Sequence, residues 1–390
     1  MSRWLLPDQV ADLLPREAET IEFLRRDFLS LFHTWGYELF ASPLIEYLDA
    51  LLVGAGQELE AQTFKLIDHR SGRLLGLRPD ITPQMARIDA HLNIGGIMRF
   101  AYAGSVLRSQ PSGPFEEKEF YQVGAELFGY AGLASDCEVV RLLRDALSLV
   151  GCERIHFDFG HVGLVRSILE KGAFSGRALQ DILEALNAKD RKRLLPHLGS
   201  LDSRWQKAFC SLLDINGGVE VLEEALAILP ADDLMAKPLS DLQAIVAVLK
   251  DSGFSVGVDL ANIEGYSYHT GIIFSVYSCD KPLTLARGGR YDGIGAAFGV
   301  SRPATGFSLD LKALASLMQP VPAPEVILAP YRPDDDTLQE KIHAMRRQGL
   351  IVIQEFPESE IAGIHRQMTK ALRQINNQWQ VVTTKDGATV

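Results

Sequence analysis

Four short stretches gather most of the side chains able to do chemistry. They are Leu77-Arg78-Pro79-Asp80-Ile81-Thr82, Phe120-Tyr121-Gln122-Val123-Gly124-Ala125-Glu126, Glu264-Gly265-Tyr266-Ser267-Tyr268-His269-Thr270-Gly271 and Gly288-Gly289-Arg290-Tyr291-Asp292-Gly293. Carboxylates, hydroxyls, an amide and an imidazole among glycines can bind a polar small molecule by hydrogen bonds. Other chemistries lack a signature. There is no G-x-x-x-x-G-K-[ST] loop, G-x-S-x-G elbow or H-E-x-x-H helix. Gly293-x-Gly295-x-x-x-Gly299 misses the dinucleotide spacing by one residue. His91 and His161 lack partners at ligand spacing, and Cys137, Cys152, Cys210 and Cys279 form no C-x-x-C pair. Neither a metal nor a cofactor is expected.

The elements that must position these stretches follow from periodicity. Ile21, Leu24, Phe28, Leu31 and Trp35 recur at spacings of three and four, which predicts an amphipathic helix over 18–35, ended by Gly36. A strand is expected over Tyr37–Pro43, and a hairpin over 63–69 and 73–78 around Ser71-Gly72. A helix should begin after Pro79, with Thr82 as N-cap and Pro83 at its first position. Segments 98–107, 119–128, 271–278 and 282–287 are further strands, and their hairpin-like connections oppose a βαβ arrangement. The Leu-, Ala-, Lys- and Glu-rich stretch 162–250, periodic at 177–187 and 219–229, predicts a helical insertion before strand-like sequence resumes at Ser255. Gln319–Pro324 is a proline-rich linker. Beyond it, strand 325–329, helix 334–348, strand 350–355, helix 358–375 and strand 379–384 make a small α/β tail. The expected division is 1–318, with the insertion at about 165–250, and 325–390.

The 390 residues are 47% hydrophobic and 23% charged, as in an ordinary globular protein. A net charge of -11 disfavours broad nucleic-acid binding, which needs Lys and Arg on phosphates. Residues 331–390 hold eight Lys/Arg and eight Asp/Glu, so the tail offers no basic face. The start Met-Ser-Arg-Trp-Leu-Leu-Pro-Asp has no apolar signal core, and no apolar run is long enough to span a bilayer. A cytoplasmic setting without membrane contact is expected.

Taken in order, the stretches resemble histidyl-tRNA synthetases over residues 1 to about 318. Gly36-Tyr37 with Pro43 is similar to the first class II motif, at that family's dimer interface. Arg108 with Phe120–Glu126 resembles the second motif and the following strand, and Gly288–Gly293 with Gly306-Phe307 resembles the start of the third. The resemblance implies an α+β fold: a class II synthetase-like antiparallel sheet flanked by helices, with a helical insertion and a small C-terminal α/β domain. It also implies site roles. Asp80 and Thr82 would meet the α-amino group of histidine, Gln122 would lie near its carboxylate, Glu126 with Tyr268 or His269 would take the imidazole N–H groups, and Arg108 belongs to the same expected histidine-binding set. Each position alone has a plainer alternative: Asp80 as a helix cap, Glu126 as a buried structural carboxylate, Tyr268 and His269 as pocket wall, Arg108 as a salt-bridge partner.

The departures from the resemblance cluster by chemistry. Glu264 stands where the synthetases carry a catalytic arginine, and Ala313 where the third motif ends in one. The Gly-Arg-Tyr-Arg loop of the second motif is replaced by Phe115-Glu116-Glu117-Lys118, leaving Arg108 as the main phosphate-facing arginine. Losing one such arginine costs about 10³–10⁵ in rate. A carboxylate about 4 Å from a phosphate adds roughly 4 kcal/mol of repulsion at an effective dielectric of about 20. The chain thus resembles the regulatory subunits of ATP phosphoribosyltransferase, synthetase-like partners of a short catalytic subunit. That resemblance implies a non-catalytic role in the first step of histidine biosynthesis, self-association as a dimer, a hetero-octamer with the catalytic subunit, and feedback by L-histidine. The competing expectations are an active histidyl-tRNA synthetase and a tRNA-sensing pseudo-synthetase. The short neutral tail opposes a tRNA enzyme and reads as a worn version of a synthetase C-terminal domain now used for contacts.

Overall fold

The computed structural model describes residues 5–54, 57–110, 117–151, 154–318, 322–357, 361 and 367–384. The chain separates into two compact units, Met1–Ala11 with Ile21–Met318, and Asp12–Thr20 with Gln319–Val390.

The larger unit is built on two sheets. Strands β1 (Glu38–Leu39), β5 (Met98–Leu107), β6 (Glu119–Phe128), β7 (Ile155–His161), β8 (Asn216–Gly217), β9 (Ser255–Asp259), β10 (Ile272–Ser278), β11 (Thr284–Arg290) and β12 (Ala304–Asp310) form one, in the order β1-β5-β6-β12-β11-β10-β7-β9-β8. Its centre is antiparallel; β1 joins β5, and β7 joins β9, in parallel. A smaller sheet has the order β2-β4-β3, from β2 (Ile45–Tyr47), β3 (Phe64–Ile67) and β4 (Leu74–Leu77), with β3 and β4 forming the expected hairpin. Strands β5 and β6 have the expected bounds, and β6 is buried continuously from Gln122 to Phe128, as befits a central strand covered on both faces.

The first helix, Pro15–Thr34, buries Ile21, Leu24, Phe28 and Phe32. The segment 162–250 is helical as predicted, in pieces that include Val162–Lys171, Gly176–Asn187, Ser203–Asp214, Val221–Ile228 and Asp233–Ala247. Their apolar faces join the same core as the sheet: Leu164, Ile182, Phe209, Leu242, Phe157 and Phe274 belong to one buried cluster. Among the described residues, no helix is long and apolar enough to cross a membrane.

Three expectations need correction. Only Glu38–Leu39 of the 37–43 segment pairs as a strand, against Phe100 and Ala101. The helix after Pro79 spans Thr82–Leu92, but Ile81 is its N-cap and Pro83 its second residue. Thr82 contributes no cap because its hydroxyl is turned to Glu126 at 2.9 Å. In the smaller unit, Gln367–Ile375 is a strand rather than part of a helix over 358–375; the rest of that stretch, apart from residue 361, lies outside the described residues. The Asn376-Asn377 pair, with φ of 49° and 63°, makes a tight turn that folds this strand (β15) onto β16 (Gln378–Thr383). Two left-handed residues favour this turn, and Asn adopts that backbone readily. With β13 (Glu325–Ala329) and β14 (Ile351–Gln354), these complete a sheet ordered β14-β13-β15-β16, over which Leu338, Ile342 and Met345 of helix Asp336–Arg347 pack.

Candidate functional site

A cleft of about 550 Å³ opens over the central strands of the larger unit. That is a size suited to a small-molecule ligand. Asp80, Thr82, Arg108, Glu126, Tyr268 and His269 line it; Gln122 does not.

Glu126, near the end of β6, is 1% exposed. Its Oε1 accepts from Thr82 Oγ1 at 2.9 Å and from the Tyr102 hydroxyl at 3.1 Å, and its Oε2 accepts from the Tyr291 hydroxyl. Burial pushes its pKa up to about 8, against the pull of the Tyr291, Thr82 and Tyr102 hydroxyls and with help from the Asp80 charge. The strand register explains the arrangement. Glu126 faces Gly306 on β12, which faces Gly289 on β11. A side chain at 306 would collide with the Glu126 carboxylate and come within 2.6 Å of the Ala125 carbonyl, so glycine is what lets the carboxylate lie across the sheet.

Asp80 Oδ1 accepts from the Thr82 amide at 2.8 Å and from Gln122 Nε2 at 3.1 Å. Asp80 therefore does turn the chain into the helix, while still lining the cleft. Gln122, 1% exposed, donates to Asp80 and accepts from the Ile81 amide at 2.9 Å. Its amide holds Asp80 from behind the cleft wall.

Tyr268 and His269 lie in the loop between β9 and β10, their rings 4.1 Å apart. His269 Nδ1 is 3.2 Å from the Glu264 carbonyl. A carbonyl only accepts, so Nδ1 carries the proton and Nε2 is left as an acceptor. Burial lowers the ring's pKa to about 4, which keeps it neutral at pH 7.

The other half of the cleft contains the departures. Glu264 Oε1 is 2.8 Å from Arg287 Nε, and its Oε2 accepts from Ser275 Oγ at 3.0 Å. Lys312 Nζ pairs with Glu117 Oε2 at 2.7 Å and donates to the Glu119 carbonyl at 2.9 Å. Asp310 caps the helix Leu311–Ala315 through the Lys312 and Ala313 amides; burial raises its pKa to about 6 although those amides, Lys312 and Arg108 oppose the rise. Arg108 stands between the halves: its Nε donates to the Pro79 carbonyl and its guanidinium lies 4.5 Å from the Phe120 ring centre. Phe115 and Glu116 of the altered second motif lie outside the described residues.

The sequence reading missed Arg287 and Lys312 as cations of the cleft, and Tyr102 and Tyr291 as partners of Glu126. Only Tyr291 had a local signal, its place in the glycine-rich 288–293 stretch. The cleft's charged side chains are Asp80, Glu117, Glu126, Glu264 and Asp310 against Arg108, Arg287 and Lys312. Even with Glu126 largely protonated at pH 7, these described side chains sum to no net positive charge.

Comparison with known proteins agrees with this geometry. The histidyl-tRNA synthetase family model matches residues 9–314, and the model described as ATP phosphoribosyltransferase subunit HisZ C-terminal domain matches residues 324–382. The tail thus matches a domain family of its own rather than standing only as a shortened synthetase domain. An ATP phosphoribosyltransferase regulatory subunit of Methylobacillus flagellatus is 42% identical, over 99% of this chain and 100% of its own length. One of Ralstonia pickettii is 45% identical, over 91% of this chain and 92% of its own. A crystal structure from Bacillus halodurans, described as an ATP phosphoribosyltransferase regulatory subunit/histidyl-tRNA synthetase, superposes with a TM-score of 0.79 at 26% identity, covering 93% of this chain and 95% of that one. Histidyl-tRNA synthetase from Nostoc shares the fold, with a TM-score of 0.73 at 18% identity, covering 93% of this chain and 88% of that one. A synthetase-like α+β domain, a cleft whose cations are matched by carboxylates, and near full-length likeness to regulatory subunits lead to one conclusion: this chain belongs to the ATP phosphoribosyltransferase regulatory subunit family.

Proposed function

We propose that this chain makes no bond itself and serves as the histidine-sensing subunit of a cytoplasmic ATP phosphoribosyltransferase, acting at the first step of histidine biosynthesis. Its partner is a short catalytic subunit, and the assembly is a hetero-octamer built on dimers of this chain. Neither nucleic acid nor membrane takes part. L-histidine occupies the cleft with its ammonium toward Asp80 and Thr82 and its ring toward Glu126, Tyr268 and His269.

The observation that carries the reading is the Glu264–Arg287 pair. Where an adenylating enzyme needs a cation toward phosphate, a carboxylate occupies the position and also holds the neighbouring cation. The amino-acid half keeps acceptors suited to an ammonium and a ring N–H. Feedback is then linkage: histidine binds two quaternary states with different affinity, and a coupling of about 1–3 kcal/mol suffices.

The test is co-purification with a short-form catalytic subunit, followed by assay with and without L-histidine. Activation on assembly and inhibition by histidine are expected. Histidine-dependent ATP–pyrophosphate exchange by this chain alone would refute the non-catalytic assignment, and a salt-dependent tRNA gel shift would refute the exclusion of nucleic acid.

A further inference from the structure

The helical segment that follows β7 reaches back to the cleft-lining loop through Arg166. Strands β7 and β10 are antiparallel neighbours, with His161 opposite Ile272. The helix Val162–Lys171 leaves the end of β7, and the Tyr268–His269 loop enters the start of β10, at the same edge. The Val162 amide donates to the Gly271 carbonyl at 3.1 Å, tying the two together. One turn into the helix, Arg166 therefore lies beside the loop. Its Nη2 donates to the carbonyls of His269 at 2.8 Å and Tyr266 at 3.1 Å, and its guanidinium is 5.1 Å from the Tyr266 ring centre.

The loop's internal hydrogen bonds start from Gly265, which at φ +65° takes a backbone that side chains disfavour. Its carbonyl accepts from the Tyr268 and His269 amides, while the Glu264 carbonyl meets His269 Nδ1. These contacts shape the loop within itself. The Arg166 bonds attach that shaped loop to the helical segment, at the residue whose ring lines the cleft.

We propose that Arg166 is a positioning residue: by bonding the Tyr266 and His269 carbonyls, it sets the height of the Tyr268–His269 loop over the cleft and couples the helical segment to ligand binding. The inference rests on the cleft's binding L-histidine. Arg166 touches main-chain carbonyls of the loop, and through them sets the two side chains that meet the ring. A shift of the helix Val162–Lys171 would carry the loop with it, giving occupancy a route out of the cleft.

The test is calorimetric titration of L-histidine into the full chain, for wild type, Arg166→Gln and Arg166→Lys, with melting temperature and NMR titration of the His269 ring followed in parallel. Losing two charge-assisted bonds predicts an affinity drop of about tenfold in R166Q. R166K keeps the charge beside both carbonyls and is expected within about threefold of wild type. Burial chiefly sets the low pKa of His269 and the Arg166 charge adds to it, so the ring should titrate higher in R166Q and not in R166K. Equal histidine affinity in wild type and R166Q would overturn the inference and leave the histidine-sensing reading intact. Equal losses in both variants with a fall in melting temperature would make Arg166 merely structural and also overturn it. No binding by wild type would overturn the histidine-sensing reading itself.

Discussion

At one end of the cleft Glu126 is held, among the described residues, by the hydroxyls of Thr82, Tyr102 and Tyr291; at the other, Glu264 and Glu117 are each within 3 Å of a cation. Both ends are rich in carboxylate, yet they have opposite capacities. Hydroxyls rotate, and a carboxylate held by them can exchange one donor for a ligand N–H without stranding a charge. A carboxylate paired with Arg or Lys gives up its partner only at the cost of leaving a cation uncompensated, and a phosphate entering there meets the carboxylate as well. Counting charged residues in a pocket therefore says little until each is assigned its partner.

The contrast can be broken from the Glu126 end. Gly306→Val should do most damage, because its side chain must occupy the space of the Glu126 carboxylate. Histidine affinity should fall by about a hundredfold or more, with far-ultraviolet circular dichroism confirming that the sheet persists. Asp80→Ala or Glu126→Ala should each weaken histidine binding by more than about tenfold, since each strands a ligand donor. Unchanged calorimetric affinity in both variants would place the ligand elsewhere.

A third experiment uses pH. The folded pKa of Glu126, about 8, lies above the ordinary value of 4.5, so the folded state holds this proton more tightly than the unfolded chain. The associated stability is complete below about pH 4.5 and is lost as pH rises through about 8. Urea denaturation from pH 5 to 9 should show wild type losing stability with rising pH relative to Glu126→Gln, whose amide does not titrate. Parallel slopes would mean that Glu126 is ionised throughout. The smallest effect is expected at the other end. Glu264→Ala should leave histidine affinity within about threefold of wild type, because the Glu264 side chain bonds Arg287 and Ser275 and only its backbone carbonyl meets His269. A tenfold loss would make the two halves one unit.

Much of the frame was legible in the chain because local rules agree there with the fold. The spacing of Ile21, Leu24 and Phe28, the strands 98–107 and 119–128, and the helical run 162–250 all appear where periodicity puts them. Legibility failed where tertiary pairing outweighed propensity. Gln367–Ile375 is composed like a helix, but β13 beside it and the Asn376-Asn377 turn make it a strand. Thr82 has the residue type of a cap, yet its hydroxyl is drawn to a buried carboxylate that needs donors.

The residue types alone determined that two positions where the similar synthetases carry arginines hold no cation, since neither Glu264 nor Ala313 supplies a guanidinium in any fold. They also determined that hydrogen-bonding side chains are present at Asp80, Thr82, Gln122, Glu126, Tyr268 and His269. Which of these face the cleft was decided only by the folded chain. Gln122 is turned inward to hold Asp80, Tyr291 is brought to Glu126 from 165 residues away, and Arg287 and Lys312 are brought to their carboxylates. The physical reason is that a buried polar group takes whichever partner the packed strands set beside it, and that partner is fixed by sheet register rather than by neighbours in sequence.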